Sequence, residues 1–167
     1  HVHTSFSFDA YFFDPLNGPR EAYRFAKGEP EAIPCDDPSV ACTARRLDRP
    51  LDFTAVTDHS EFLGAFAATC GVSSEEAQAP VFCRELGDYI RGNVFELLRG
   101  STDSAMYRAT SRVDLFHTAD AWGRSVAITE EENVPCRFTT FAAYEYSAQP
   151  AGGMLHRNIV FLGSSLP

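Results

Sequence analysis

The chain has 167 residues, 44% hydrophobic and 22% charged, with a net charge of −9. This is an ordinary globular composition, and a chain of this length is one domain by the usual prior. Acidic residues outnumber basic ones 23 to 14, so no basic patch is present to neutralise phosphates, and nucleic acid is disfavoured as a partner. No apolar run reaches the roughly 20 residues of a membrane span, and there is no signal-peptide pattern.

In chain order, His1 to Ser7 reads as the end of a strand running into a loop. A helix is predicted over Pro19 to Lys27, with Pro at its first position, Lys in its last turn and Gly28 at its stop. Glu29 to Pro50, rich in Pro, Asp and Cys, reads as a long excursion. Leu51 to Val56 is predicted as a short buried strand that ends at Thr57-Asp58-His59. Phe82, Leu86, Ile90, Val94, Leu97 and Leu98 recur at helical spacing and end at Gly100. A second helix carries Leu115, Phe116, Ala119, Trp122 and Val126 and stops before Pro135. Residues from about 69 to 135 thus form a largely helical insert. Phe138 to Tyr146 and Leu155 to Leu162 are predicted strands. Only eight residues separate them, too few for a parallel crossover, so they either pair antiparallel or are not direct neighbours. The order argues for an α/β or α+β layered domain.

Five cysteines form no metal-type C-x-x-C pair. Cys35 with Cys42, and Cys70 with Cys83, each bracket a short loop. Two local disulfides with Cys136 unpaired would place the protein in an oxidising compartment, periplasmic or secreted. Scattered thiols of a cytoplasmic protein are the alternative.

The chemistry collects at strand ends. In a strand, residues two apart share a face, so His1 and His3 can hold one cation while Val2 turns to the core. Asp58 and His59 stand at the C-terminal end of a strand, the edge where ligand sites gather in α/β sheets. Asp58 would act on a neighbouring imidazole from behind, or Asp58 and Ser60 would cap a following helix. Glu145 ends an apolar strand, where a carboxylate is costly unless paired or metal-bound. His156 lies on the next strand and shares its face with Asn158. His117 falls off the apolar stripe of its helix and reads as a surface residue. Any one of these histidines alone is more often structural than a ligand.

The segments HVHTSFSFD, FTAVTDHSEF and YEYS followed by HRN resemble the PHP (polymerase and histidinol phosphatase) family. The likeness is greatest to a bacterial branch catalogued as domain-of-unknown-function family 3604, and it covers nearly the whole chain. The resemblance implies a distorted seven-stranded β/α barrel with two or three divalent ions (Zn, Mn or Fe) at its C-terminal edge. It also implies hydrolysis of phosphate esters as the usual activity. Carried over by position, it makes His1 and His3 ligands of a first ion. Glu145 would bridge the first and second ions, and His156 would bind the second. Asp9 and His59 would bind the third. The family also uses a later His and an Asp-x-His pair. Only eleven residues follow His156, and none is His or Asp. The chain is therefore expected to be the N-terminal portion of a larger domain, with the C-terminal remainder as partner, since such barrels need roughly 200 or more residues.

The function expected from this reading is metal-dependent hydrolysis of a small phosphate ester, with Arg157 offered as a phosphate contact. Amide or lactone hydrolysis by the same chemistry is one alternative. A non-catalytic exported metal-binding or interaction domain is another. There is no G-x-G-x-x-G and no Walker loop, so a nucleotide cofactor is not expected. Gly152-Gly153 reads as a turn.

Overall fold

In a computed structural model of the chain, residues 1–13, 17–32, 44–71, 81–92, 116–148, 155–163 and 166 are described. Their elements are α1 (Phe8–Phe12), α2 (Pro19–Ala26), β1 (Glu31–Ala32), β2 (Ala44–Arg45), β3 (Phe53–Ala55), α3 (Ala65–Cys70), α4 (Val81–Gly92), α5 (Phe116–Glu132), β4 (Thr139–Phe141), β5 (Ala143–Ala148) and β6 (Leu155–Val160). Helices and strands are mixed, the sheets are small, and no closed barrel forms among the described residues.

The layer that positions the site is assembled by pairing. Val2 bridges Val56 in parallel, β3 pairs with β4 in parallel, and His59 bridges Glu145 in parallel. The stretch Phe53–His59 therefore lies between the N-terminal segment and β4–β5. The connection from β3 to β4 carries helices, as a parallel crossover requires. β5 and β6 pair antiparallel, with Glu145 opposite Asn158 and Ser147 opposite His156. This is one of the two arrangements that the short connection left open.

Two apolar clusters support the layer. Tyr23, Ala26, Val56 and Phe138 pack beneath it, with Val2 against them. Tyr11, Phe12, Ala65, Phe66, Cys70, Cys83, Leu86 and Ile90 form the other, which ties α1, α3 and α4 together. Fully burying side chains of this size stabilises by about 1.5–3 kcal/mol each. A Cys70–Cys83 disulfide spans this second cluster, and Cys136 is free and exposed. Cys35 and Cys42 lie outside the described residues, as does the Gly152-Gly153 turn.

α2 begins at Pro19 and ends just before Gly28, whose φ is +83°, as its stop and start signals predict. α4 buries Cys83, Leu86, Gly87 and Ile90 and ends at Gly92. The predicted continuation through Val94 and Leu98 lies outside the described residues.

Four local readings are corrected. The loop read after Ser7 is instead a short helix, Phe8–Phe12, which buries Tyr11 and Phe12. Leu51–Val56 is not a buried strand: Thr54 and Val56 are buried, but Phe53 is 64% exposed, because the described residues cover one face of β3. Among the described side chains of α5 the buried ones are Ala121, Ser125, Thr129 and Glu132, whereas Trp122 and Val126 are only partly buried. Small side chains let the helix come close. A β-carbon on Gly64, whose φ is +64°, would stand 2.4 Å from that of Ala121. Glu132 is held by Arg20 of α2 and by Lys27 just after it. Trp122 instead packs its ring on Tyr144 and Phe161 at the side. Finally, no helix starts at Asp58 or Ser60; residues 61–64 are turns.

Candidate metal centre

The pairing described above delivers four segments to one place. The parallel bridges put the ends of the N-terminal segment and of residues 56–59 beside β5, and β6 returns His156 to the same face. Three overlapping groups of donor atoms result: His1, His3 and Glu145; His3, Asp9 and His59; and His59, Glu145 and His156. Within each group the donor atoms lie within 4.8 Å of one another. Two ligands at about 2.1 Å from one ion are no more than about 4.2 Å apart, so each group needs only a small contraction to close on a cation.

Glu145 lies at the centre. One oxygen, Oε2, stands 3.2 Å from His3 Nε2 and 3.9 Å from His1 Nδ1. The other, Oε1, contacts His156 Nδ1 closely and lies 3.9 Å from His59 Nδ1. Its backbone is fixed by Glu145 N–H donating to Asp58 O and by Ser60 N–H donating to Glu145 O. The side of the cluster nearest α1 is built by Asp9, whose Oδ2 is 3.5 Å from His59 Nε2. His1 is steadied by Thr57 Oγ1 at 3.0 Å.

The overlap restricts occupancy. A carboxylate has two oxygens and can serve two ions, whereas a neutral imidazole has one lone pair and can serve one. Glu145 can therefore belong to two groups at once. His3 and His59, which also fall in two groups each, must choose.

The electrostatics suit cations. Burial opposes a charge on His59, but Asp9 and Glu61 outweigh it and lift the imidazole to about 9. Asp9 raises His3 against the cost of its burial. Burial likewise opposes charge on Asp9, yet His3, His59 and Ser7 hold it well below the usual carboxylate range. On the two imidazoles a proton occupies the place of a positive charge, and a metal ion binding there would displace it, while Asp9 stays ionised. Imidazole nitrogen with carboxylate oxygen is a donor set that suits Zn, Mn or Fe. One further atom is consistent with this: Glu61 Oε2 is buried without a hydrogen-bond partner, 3.7 Å from His59 Nδ1. The residues present thus fit a group of divalent ions.

All six sequence-predicted donors, His1, His3, Asp9, His59, Glu145 and His156, are brought together. Asp58 is not beside His59's ring. It is buried beneath the site, where Thr4 donates to it through its backbone N–H and, at 2.7 Å, through its hydroxyl. Burial pushes Asp58 up to about 6 against those two donors. It therefore anchors the His1–Thr4 segment through Thr4 rather than orienting the His59 imidazole. Arg157 is exposed, and strand alternation places it on the face opposite His156, so β6 does not present it to the cluster. His117's side chain lies outside the described residues.

Three residues that shape the cluster were not singled out from sequence. Ser7 contacts His3, Asp9 and the backbone of His59. Ser147 Oγ lies 3.0 Å from His59 Nδ1 and 3.1 Å from His156 Nδ1. Glu61 Oε1 accepts from Ser147 N–H. The available signal was weak: a hydroxyl or carboxylate two to four residues after each ligand segment.

A family described as proteins of unknown function (DUF3604) matches residues 1–167. No curated protein and no solved structure matches the chain. The whole length is covered by that one family, and the chain is a member of DUF3604.

Proposed function

We propose that this chain carries metal-binding residues of the active site of a PHP-type metal-dependent hydrolase that acts on phosphate esters. The observation that carries this reading is the nested donor set, in which three groups share His3, His59 and the central Glu145. Parallel pairing that places His3 and Glu145 around His59 at one strand edge supports a β/α-barrel origin.

On this reading His1 and His3 hold a first ion and His156 a second, with Glu145 between the two. Asp9 and His59 hold a third. Divalent ions there would supply hydroxide near neutral pH and Lewis acidity towards a phosphoryl oxygen. The chain's own residues do the rest. Glu145, buried and fixed at both N–H and C=O, sets the separation of the two sides. Asp58 and Thr4 hold the segment that aims His3. An apolar cavity of about 590 Å³ beside His1, lined in part by Phe25, Leu51, Phe53 and Phe141, would receive the organic part of the ester on this reading.

The test uses the full-length protein. Bound metal is measured, and phosphate mono- and diesters are assayed with Mn or Zn added. Metal-dependent turnover that His59→Ala abolishes is the expected result. Protein that binds no divalent metal and turns over no ester contradicts it.

A second reading is an exported metal-binding domain without turnover. The Cys70–Cys83 disulfide favours the export half of it. Stoichiometric metal with no hydrolysis of any ester would select this reading.

A further inference from the structure

We propose that Ser7 is a positioning residue that decides which ion His3 serves. This rests on the metal-site reading given above. His3 has a nitrogen in each of two donor groups: Nε2 faces Glu145 Oε2 at 3.2 Å, and Nδ1 faces Asp9 Oδ1 at 3.7 Å. A neutral ring can offer a lone pair to only one of them.

Ser7 Oγ touches three groups. It is 2.7 Å from Asp9 Oδ1, 3.0 Å from His3 Nδ1 and 3.2 Å from the backbone nitrogen of His59. A hydroxyl has one proton to give and two lone pairs to accept with. An ionised aspartate only accepts, so the Ser7 proton goes to Asp9. A backbone N–H only donates, so His59 N–H takes one lone pair. The lone pair that remains faces His3 Nδ1, which must therefore carry a proton and donate to Ser7. That fixes His3 as the Nδ1–H tautomer, with the Nε2 lone pair aimed towards His1 and Glu145. His3 is assigned to the first ion and withheld from the Asp9–His59 ion. Asp9 remains free to serve that ion through Oδ2, because Oδ1 already accepts from Ser7 and from Ala10 N–H.

The ordinary alternative is that Ser7 is a helix cap. It does occupy the N-cap position of α1, but its side chain makes no cap hydrogen bond, although a capping serine would accept from the first turn. The hydroxyl is fully buried and wholly engaged by the cluster.

The experiment is nitrogen–proton correlation spectroscopy of the full-length protein, labelled at its histidine nitrogens. Metal-free protein is recorded at alkaline pH, with the His3 ring assigned by its loss in His3→Gln. Zinc titration of the wild type and of Ser7→Ala runs alongside. The expected wild-type spectrum shows His3 protonated at Nδ1. Ser7→Ala should mix the two tautomers and weaken zinc binding about 10–100-fold, as loss of an outer partner does. A His3 proton on Nε2 in the wild type overturns the proposal. So does a Ser7→Ala protein with unchanged tautomer and zinc affinity. Should Ser7→Ala not fold, the wild-type spectrum alone decides. A wild type that takes up no zinc refutes the metal reading instead, while its metal-free spectrum still decides the role of Ser7.

Discussion

The two sides of the cluster are built differently. On the floor, His59 and Glu145 have side chains only 5% and 6% exposed, and Thr4, Ser7, Thr57 and Asp58 close in beneath them. On the rim, His1 is 55% exposed, Asp9 42% and His156 41%. Floor residues are held by backbone pairing and by hydrogen bonds that exist without any ion. Rim residues have contacts of their own, but their side chains face solvent, and a cation is what would draw them in. A site divided this way is preorganised where charge must be shared and adaptable where ligands enter.

The largest expected effect comes from the floor. Glu145→Gln removes the one group able to serve two ions, and zinc affinity should fall at least ~1,000-fold in a calorimetric titration. That exceeds the 10–100-fold that loss of an outer partner costs. A smaller loss would mean that the two sides do not share a ligand. Next is the scaffold behind the floor. Cys70→Ser opens a short covalent loop and should cost about 3 kcal/mol in denaturant unfolding, without changing metal stoichiometry.

A rim change should separate binding from folding. His156→Ala should weaken zinc binding about 100-fold yet shift stability by less than about 0.5 kcal/mol, as exposed positions do. A comparable loss of stability would erase the distinction between rim and floor. Thr4→Val reverses the pattern. It strips the hydroxyl donor from buried Asp58 and should cost about 2 kcal/mol of metal-free stability, with the ligand set intact.

The smallest effect lies outside the donor groups and serves as their control. Burial opposes charge on Glu132, but Lys27 and Arg20 outweigh it and hold its carboxyl below the ordinary value. A depressed folded value stabilises above the unfolded carboxylate range, and that contribution is lost as pH falls through the folded value. Glu132→Gln should therefore flatten the acid limb of the stability curve in protein with or without metal.

Much of this was legible in the sequence, for reasons that differ by residue. Strand alternation and strand-end placement were enough to find His1, His3, His59, Glu145 and His156, because those signals are local. Asp9 came from family resemblance. Ser7, Ser147 and Glu61 were not assigned to the cluster, because the partners of a lone hydroxyl or carboxylate are set by tertiary approach and leave no periodicity. Asp58 was misplaced for the same reason: its partner is Thr4, distant in sequence, rather than the adjacent His59. The α5 face was misread because large apolar residues suggested the stripe. Close approach at Gly64 and the charged pair at Glu132 instead selected small and polar positions. Exposed Phe53 shows the limit of reading burial from hydrophobicity, since one covered face is all that the described residues give β3.

The central claim is that these six residues form one multinuclear metal centre. Elemental analysis of the purified full-length protein, beside Glu145→Gln, tests it most directly. The account predicts at least two divalent ions per chain in the wild type and their loss in the variant. Wild-type protein that stays free of divalent metal even after incubation with zinc or manganese would contradict it.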